Sequence, residues 1–161
     1  MAIIPFSVAA NLAAQNTEHQ GIGEHLAWRT HQEFLQTAAV PMVEVLNRPD
    51  WPGKKDEFFS GNFGALTMAR DAGYDLLLTG YVEPFRDLNQ MTAHAKLIEV
   101  ESGITLWYGT VVADSFSDDM NADASSIWLA TRRPDRMAHN ALIDKVATCM
   151  ARAISSENQD S

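Results

Sequence analysis

Residues 74–114 constrain the fold most, because this stretch contains three runs of strand-forming residues joined by turns. The first run, residues 76–85, is almost continuously apolar, which is typical of a strand buried on both faces. Gly80 lies in its middle, and a glycine there indicates a bulge or a close backbone approach. Pro84 cannot donate to a ladder, so we expect strand pairing to end near it.

The second and third runs predict an antiparallel meander. In residues 91–100, small and apolar side chains alternate with His94 and Lys96, which indicates a strand with one covered face and one wetter face. The apolar side chains change sides at Ile98, which predicts a bulge or a strand end buried on both faces. Gly103 supplies the turn before the third run, residues 104–113, which is aromatic and β-branched.

The segments on either side of the meander predict helices and two more strands. Apolar residues recur at helical spacing in residues 21–39, in a segment that starts at Asp56 or Ser60 and ends near Ala72, and from Pro134 onward. Short apolar runs at residues 2–6 and 42–46 predict strands. The predicted inner face of the first helix is Ile22, Leu26, Thr30, Phe34 and Ala38, with Ala27 and Leu35 beside them. That of the second helix is Phe59, Phe63, Leu66 and Ala69. That of the last helix is Leu142, Val146, Cys149 and Ala153, with Ile143, Met150 and Ile154 beside them.

The order of these elements predicts an α/β (α+β) fold. We expect a mixed sheet of about five strands with a C-terminal antiparallel meander, covered by three or four helices. Residues 1–156 are predicted to form a single domain, and residues 157–161 a flexible polar tail.

Charge and cysteine content exclude several classes of function. The net charge of -9 disfavours non-specific nucleic-acid binding and adsorption to an anionic membrane. No apolar run approaches the roughly 18 residues that a membrane-spanning helix needs. Cys149 is the only cysteine, so no internal disulfide forms, and we expect it to be buried as a small hydrophobe in the last helix. The segment after Met1 reads as a strand and not as a signal peptide. Either the protein is cytosolic, or an export signal has been removed, and the abrupt start favours removal.

No motif indicates a catalytic, cofactor or metal site. His25 and His31 are six residues apart, which places them on different sides of a helix. The acidic segment beginning at Asp119 resembles a calcium loop but lacks its glycine and its final glutamate. Gly21 and Gly23 are only a fragment of a nucleotide-binding fingerprint. We therefore expect no catalytic residue, no cofactor and no metal.

Two short segments are candidate protein interfaces. Trp51 and Pro52 lie in a turn, where Trp51 either anchors a partner or folds back onto the core. Arg132, Arg133 and Arg136 form the only basic cluster. Three roles are open to this cluster: it binds a carboxylate or phosphate, pairs with the preceding acidic loop, or contacts a neighbouring subunit.

The chain resembles a superfamily of periplasmic lipoproteins. The motifs are IIPF, VEVLNR, ARDAGYD, LLLTGYV and KLIEVESGITLWYG, and the resemblance covers residues 2 to about 154. They are similar to the curli secretion channel subunit (CsgG-like), lipoprotein activators of peptidoglycan synthases, the TolB amino-terminal domain and some flagellar outer-membrane-associated proteins. In this superfamily the strand at residues 75–80 and the hairpin at residues 97–107 are scaffold.

The resemblance implies a function through protein contacts in the cell envelope. We expect a non-enzymatic, periplasmic or outer-membrane-associated scaffold that forms a homo-oligomer, such as a flagellar or pilus ring component or a regulator of cell-wall synthesis. A lipid anchor would have been lost with a removed signal. The chain lacks amphipathic membrane-crossing hairpins, so we expect no secretion pore. The alternative is a cytosolic small-ligand-binding protein or an enzyme of unknown reaction.

Overall fold

The structure is a computed structural model. It describes residues 1–8, 21–37, 40–47, 58–59, 61, 63–83, 89–114 and 136–157, and in the last range it describes side chains for residues 140–156. The strands are β1 (Ala2–Ile3), β2 (Ser7–Val8), β3 (Glu44–Val45), β4 (Leu76–Val82), β5 (Gln90–Glu99) and β6 (Thr105–Asp114). The helices are α1 (Ile22–Thr37), α2 (Phe63–Asp71) and α3 (Arg136–Glu157).

The described strands form one mixed sheet in the order β3-β1-β4-β5-β6. β1 is parallel to both β3 and β4, while β4, β5 and β6 form the predicted antiparallel meander. The register of β5 and β6 shifts between Leu97 and Ile98, where the sequence predicts a bulge. The sheet has six strands because the amino-terminal run is divided around Pro5, and β2 also pairs with β4, parallel to it.

One face of the sheet is covered by α1 and α3. Side chains on this face alternate along β5 with those on the other face, as the pattern in residues 91–100 predicts. Helix α1 is amphipathic as predicted, except that Leu35 is exposed. The buried residues that α1 and α3 contribute to this core are Ile22, Leu26, Ala27, Phe34, Leu142, Ile143, Val146, Ala147, Met150, Ala151 and Ile154.

Helix α2 covers only one end of the opposite face. Ala65, Leu66 and Ala69 pack there against a group that includes Leu77 and Ile98. The short helix ends before Gly73, which has the positive φ of +79° expected of a C-terminal stop. No other described helix packs on the β5–β6 part of this face.

Two predicted inner faces are partly wrong. Phe63 is the first residue of α2, and its side chain is 73% exposed because it lies beyond the turn that packs on the sheet. Phe59 is also exposed. In α3, Ala147 and Ala151 belong to the buried stripe, so Cys149 lies to one side of it and is exposed instead of buried.

None of the described helices has the length and apolar character needed to cross a bilayer.

Candidate protein-binding surface

The predicted interface residues lie almost entirely outside the described ranges. This applies to Trp51, Pro52, Arg132 and Arg133. Arg136 is the first residue of α3, and its side chain is not described. Their role as an interface stays a prediction.

The described residues contain a different candidate surface, on the edge strand β6. Trp107 and Val111 point to the covered face and pack against the core. Alternate residues therefore point to the uncovered face. Leu106, Tyr108 and Val112 are 53%, 53% and 55% exposed, and Thr110 between them is also exposed. We call the outward side chains of Leu106, Tyr108, Thr110 and Val112 the β6 stripe.

Apart from the bulge at Leu106, the described edge of β6 lacks the charged residues and prolines that usually protect a free edge. β6 is last in the strand order, and no described strand pairs with its outer side. Residues 104–113 contain no charged residue and no proline. Natural proteins place such groups on edge strands to prevent pairing with another chain. The exposed apolar stripe and the unprotected backbone edge both favour contact with a protein.

A groove of about 460 Å³ separates the end of β6 from α3. Val112, Ala113 and Asp114 form one wall, and Lys145, Cys149 and Arg152 belong to the other. Lys145 Nζ donates a hydrogen bond to the backbone oxygen of Asp114 at 3.0 Å, which ties the helix to the strand. The groove thus runs beside the free edge, in reach of anything that adds to β6.

A polar cluster adjoins the β6 stripe. His94 Nε2 lies 2.8 Å from Glu83 Oε1, and His94 Nδ1 lies 2.9 Å from Thr110 Oγ1. Tyr108 Oη is 3.4 Å from the same Nδ1. The ring of Tyr81 stacks on His94 with 6.3 Å between centroids. These contacts hold His94 and orient the tyrosine and threonine of the stripe.

Lys96, which shares this face of β5 with His94, is bound to a neighbouring segment. Its Nζ donates to the backbone oxygen of Phe58 at 2.6 Å and lies 4.5 Å from the Phe58 ring centroid. Burial lowers the pKa of Lys96 below its ordinary value of 10.5. Phe58 in turn packs with Tyr81, so the lysine fixes an aromatic group beside the stripe.

The order carboxylate, imidazole, hydroxyl in Glu83, His94 and Thr110 is also the order of a catalytic triad. Thr110, however, is exposed on a strand face. This geometry suits a polar contact in an interface better than a reaction that needs excluded water.

Sequence reasoning missed the partner of His94. Glu83 lies 11 positions earlier, in no recognisable motif with His94. The signal that would have found it is the antiparallel pairing of β4 with β5, which brings Tyr81 opposite His94 and Glu83 beside it. Only the register of the hairpin supplies that information.

His25 and His31 do not converge on a site. His25 is exposed, while His31 Nε2 lies 3.2 Å from the Val43 backbone oxygen. Within the described ranges, no three His, Cys, Asp or Glu side chains are placed to hold a metal ion. A second depression, of about 520 Å³, lies at the end of α2, where Arg70 Nη2 donates to the Val100 oxygen at 2.9 Å.

Several solved structures resemble this chain. Protein XCC0632 from Xanthomonas campestris, of family DUF330, is 12% identical, with 99% of this chain and 86% of that chain covered and a TM-score of 0.56. The hypothetical protein CT253 from Chlamydia trachomatis is 12% identical over 93% and 94%, with a TM-score of 0.50. PelC from Paraburkholderia phytofirmans, a dodecamer, is 18% identical over 91% and 83%, with a TM-score of 0.49. No protein-family model matches the sequence, and no curated protein matches it.

The matches to XCC0632 and CT253 establish the fold of the chain, and at 12% identity they establish the fold alone. TolB from Acinetobacter baumannii and the LpoB C-terminal domain from Escherichia coli also match, with TM-scores of 0.41 and 0.37. The resemblance to periplasmic lipoproteins, including the CsgG-like assignment, stays a prediction. The chain is similar in fold to XCC0632 and CT253 over more than nine-tenths of its length.

Proposed function

We propose that this chain is a non-enzymatic cell-envelope protein that assembles with other proteins through the surface of β6. The observation that carries the proposal is the β6 stripe, an exposed apolar row on an edge strand without a charged residue in positions 104–113. Such a surface is costly to leave in water and templates pairing with another chain. We propose the periplasm as its compartment because the sequence motifs resemble those of periplasmic lipoproteins.

A docking role accounts for the polar groups beside the stripe. Glu83, His94 and Thr110 hydrogen-bond to one another, so these polar groups have fixed positions beside the stripe. An apolar centre with a polar rim is the usual composition of a protein interface. The ring component and cell-wall regulator remain the specific roles to test, because the sequence resemblance names them.

Site-specific photo-crosslinking in the source cell tests this proposal. A photoreactive residue replaces Tyr108, and a control carries it at His25, which is exposed on α1. We expect protein adducts at position 108, in the envelope fraction, and few at position 25. Equal labelling at both positions, or recovery of the protein from the cytosol alone, would contradict the proposal.

The alternative is an enzyme or small-ligand-binding protein, and the alignment of Glu83, His94 and Thr110 is the observation that favours it. Two variants separate the candidates. His94→Gln removes the base of the triad-like array, and Leu106→Asp alters the stripe without touching His94. Loss of cellular function with Leu106→Asp alone supports docking, whereas loss with His94→Gln alone supports chemistry.

A further inference from the structure

We propose that two copies of this chain pair through β6, antiparallel about a two-fold axis at Gly109, so that their sheets join into one. This inference rests on the proposed function and deepens it, since it names a second copy as the occupant of the β6 edge. It also specifies which residues meet.

The ladder inside the sheet determines which backbone groups of β6 point outward. The Glu83 N–H donates to the Thr92 oxygen at 2.9 Å, so even-numbered residues of β5 direct their backbone groups to β4. Odd-numbered residues, including Ala95, therefore direct theirs to β6, where Ala95 lies opposite Gly109. The even-numbered residues of β6 consequently present free-edge N–H and C=O groups: Tyr108, Thr110 and Val112.

A two-fold axis at Gly109 matches these groups. It places Tyr108 opposite Thr110 of the second copy, and both residues direct their backbone groups to the outer edge. Leu106, the unpaired residue of the bulge, lies near Val112 of the second copy, which brings the apolar ends of the two stripes together. Because paired residues have the same parity, each side chain stays on its own face of the joined sheet.

The covered face is compatible with the same register. Trp107 lies opposite Val111 of the second copy, and an aromatic residue beside a β-branched one is a favourable cross-strand pair. Gly109 itself has no side chain, and the Trp107 ring occupies the space beside it, with a built Cβ only 2.3 Å from Trp107 Cζ2. At the axis itself, Gly109 therefore adds no side chain between the two copies, and the Trp107 ring covers it on the helix-covered face.

Charge favours this surface. The chain has a net charge of -9, so copies repel each other over most of their surfaces. Residues 106–112 carry no charge, which makes them a segment where copies meet without opposed like charges.

Light scattering after size-exclusion chromatography gives the first test, on the full chain. We expect a mass of two chains for the wild type and of one chain for Tyr108→Asp, with at least about tenfold weaker association. Leu35→Asp is the matched control, because Leu35 is an exposed apolar residue on α1, and its variant should remain dimeric. Circular dichroism and a thermal melt establish that each variant is folded.

Disulfide trapping tests the register. All variants carry Cys149→Ser, so that the introduced thiol is the only one. Tyr108→Cys mixed with Thr110→Cys should form a disulfide between chains, since hydrogen-bonded pairs have Cα atoms about 5.5 Å apart, within the range a disulfide bridges. Tyr108→Cys alone should cross-link much less. Dominant cross-linking of Tyr108→Cys with itself would overturn the register at Gly109.

The outcomes separate this inference from the proposed function. A monomer throughout the micromolar range, or a dimer that Tyr108→Asp leaves intact, overturns β6 pairing between copies. A monomer whose position 108 cross-links to a different envelope protein also overturns it, while the proposed function stands. A β6 dimer recovered only from the cytosol overturns the envelope role and leaves the pairing intact.

Discussion

Gly80 and Phe6 pack so closely that a Cβ atom on Gly80 would lie 2.1 Å from Phe6 Cε1. The same Cβ would lie 2.7 Å from the backbone oxygen of His94. The Ser7 hydroxyl, on the neighbouring strand β2, donates a hydrogen bond to the backbone oxygen of Gly80 at 3.1 Å. The close approach that the sequence predicts at Gly80 is therefore confirmed, and it allows the Phe6 ring to pack on β4.

We predict that Gly80→Ala lowers the free energy of unfolding by about 2 kcal/mol or more, because the added methyl overlaps a ring and a backbone oxygen. Urea unfolding measures the loss. In a Phe6→Ala background the same substitution should cost less, since the ring is gone, although the contact with the His94 oxygen remains. Equal costs in the two backgrounds would show that Phe6 is not the obstacle.

Gly23→Ala should also destabilise the protein, by about 2 kcal/mol or more. A Cβ on Gly23 would lie 1.8 Å from the Phe6 backbone oxygen, and the Phe6 N–H already donates to the Gly23 oxygen at 3.1 Å. Backbone yields less easily than a flexible side chain. His25→Ala, an exposed change two residues further on, is the control and should leave the urea midpoint nearly unchanged. A stabilised Gly23→Ala variant would contradict this close packing.

Cys149 should react with a thiol reagent in the native protein, because it is exposed on α3. We expect one equivalent of thiol to be titrated by Ellman's reagent without denaturant, at a rate little changed when urea unfolds the chain. Cys149→Ser should change the melting temperature only slightly, since it opens no cavity. Reaction that begins only on unfolding would restore the prediction that this side chain is buried.

Lys96 should make stability rise with pH in the alkaline range. Burial lowers the pKa of Lys96 below 10.5, so between that lowered pKa and 10.5 the unfolded chain binds more protons than the native one. The free energy of unfolding then increases as pH rises through this window. Lys96→Gln, which keeps a donor for the Phe58 oxygen, should flatten the slope. Urea unfolding from about pH 8 to 11 measures it, and an unchanged slope would rule out this origin.

Tyr74 should make the free energy of unfolding fall as pH rises in the same experiment. The hydrogen bond from its hydroxyl to Glu44 raises the pKa of Tyr74 above 10.0. Its contribution is therefore fully present below pH 10 and is lost as pH rises through the raised pKa. The effect should be small because the contact is exposed. In Tyr74→Phe this loss should disappear; a loss that persists has another source.

Local patterns in the sequence determined the elements of this protein. Alternation along residues 91–100, helical spacing in α1 and the glycines at positions 73 and 103 each depend on neighbours within a few positions, so single-chain reasoning reached them. The mixed sheet and its meander followed from the order of those elements.

The tertiary structure alone decided which apolar and polar groups are covered. Cys149, Phe63 and Leu35 lie at helical spacing from buried residues, yet each is exposed, because the helices cover only the area that they contact. The pairing of His94 with Glu83 likewise depends on the register of β4 with β5. The position of β6 at the edge of the sheet is a further result of packing. The periodicity of the sequence predicts which side chains share a face, whereas only the packing of distant segments determines what lies against that face.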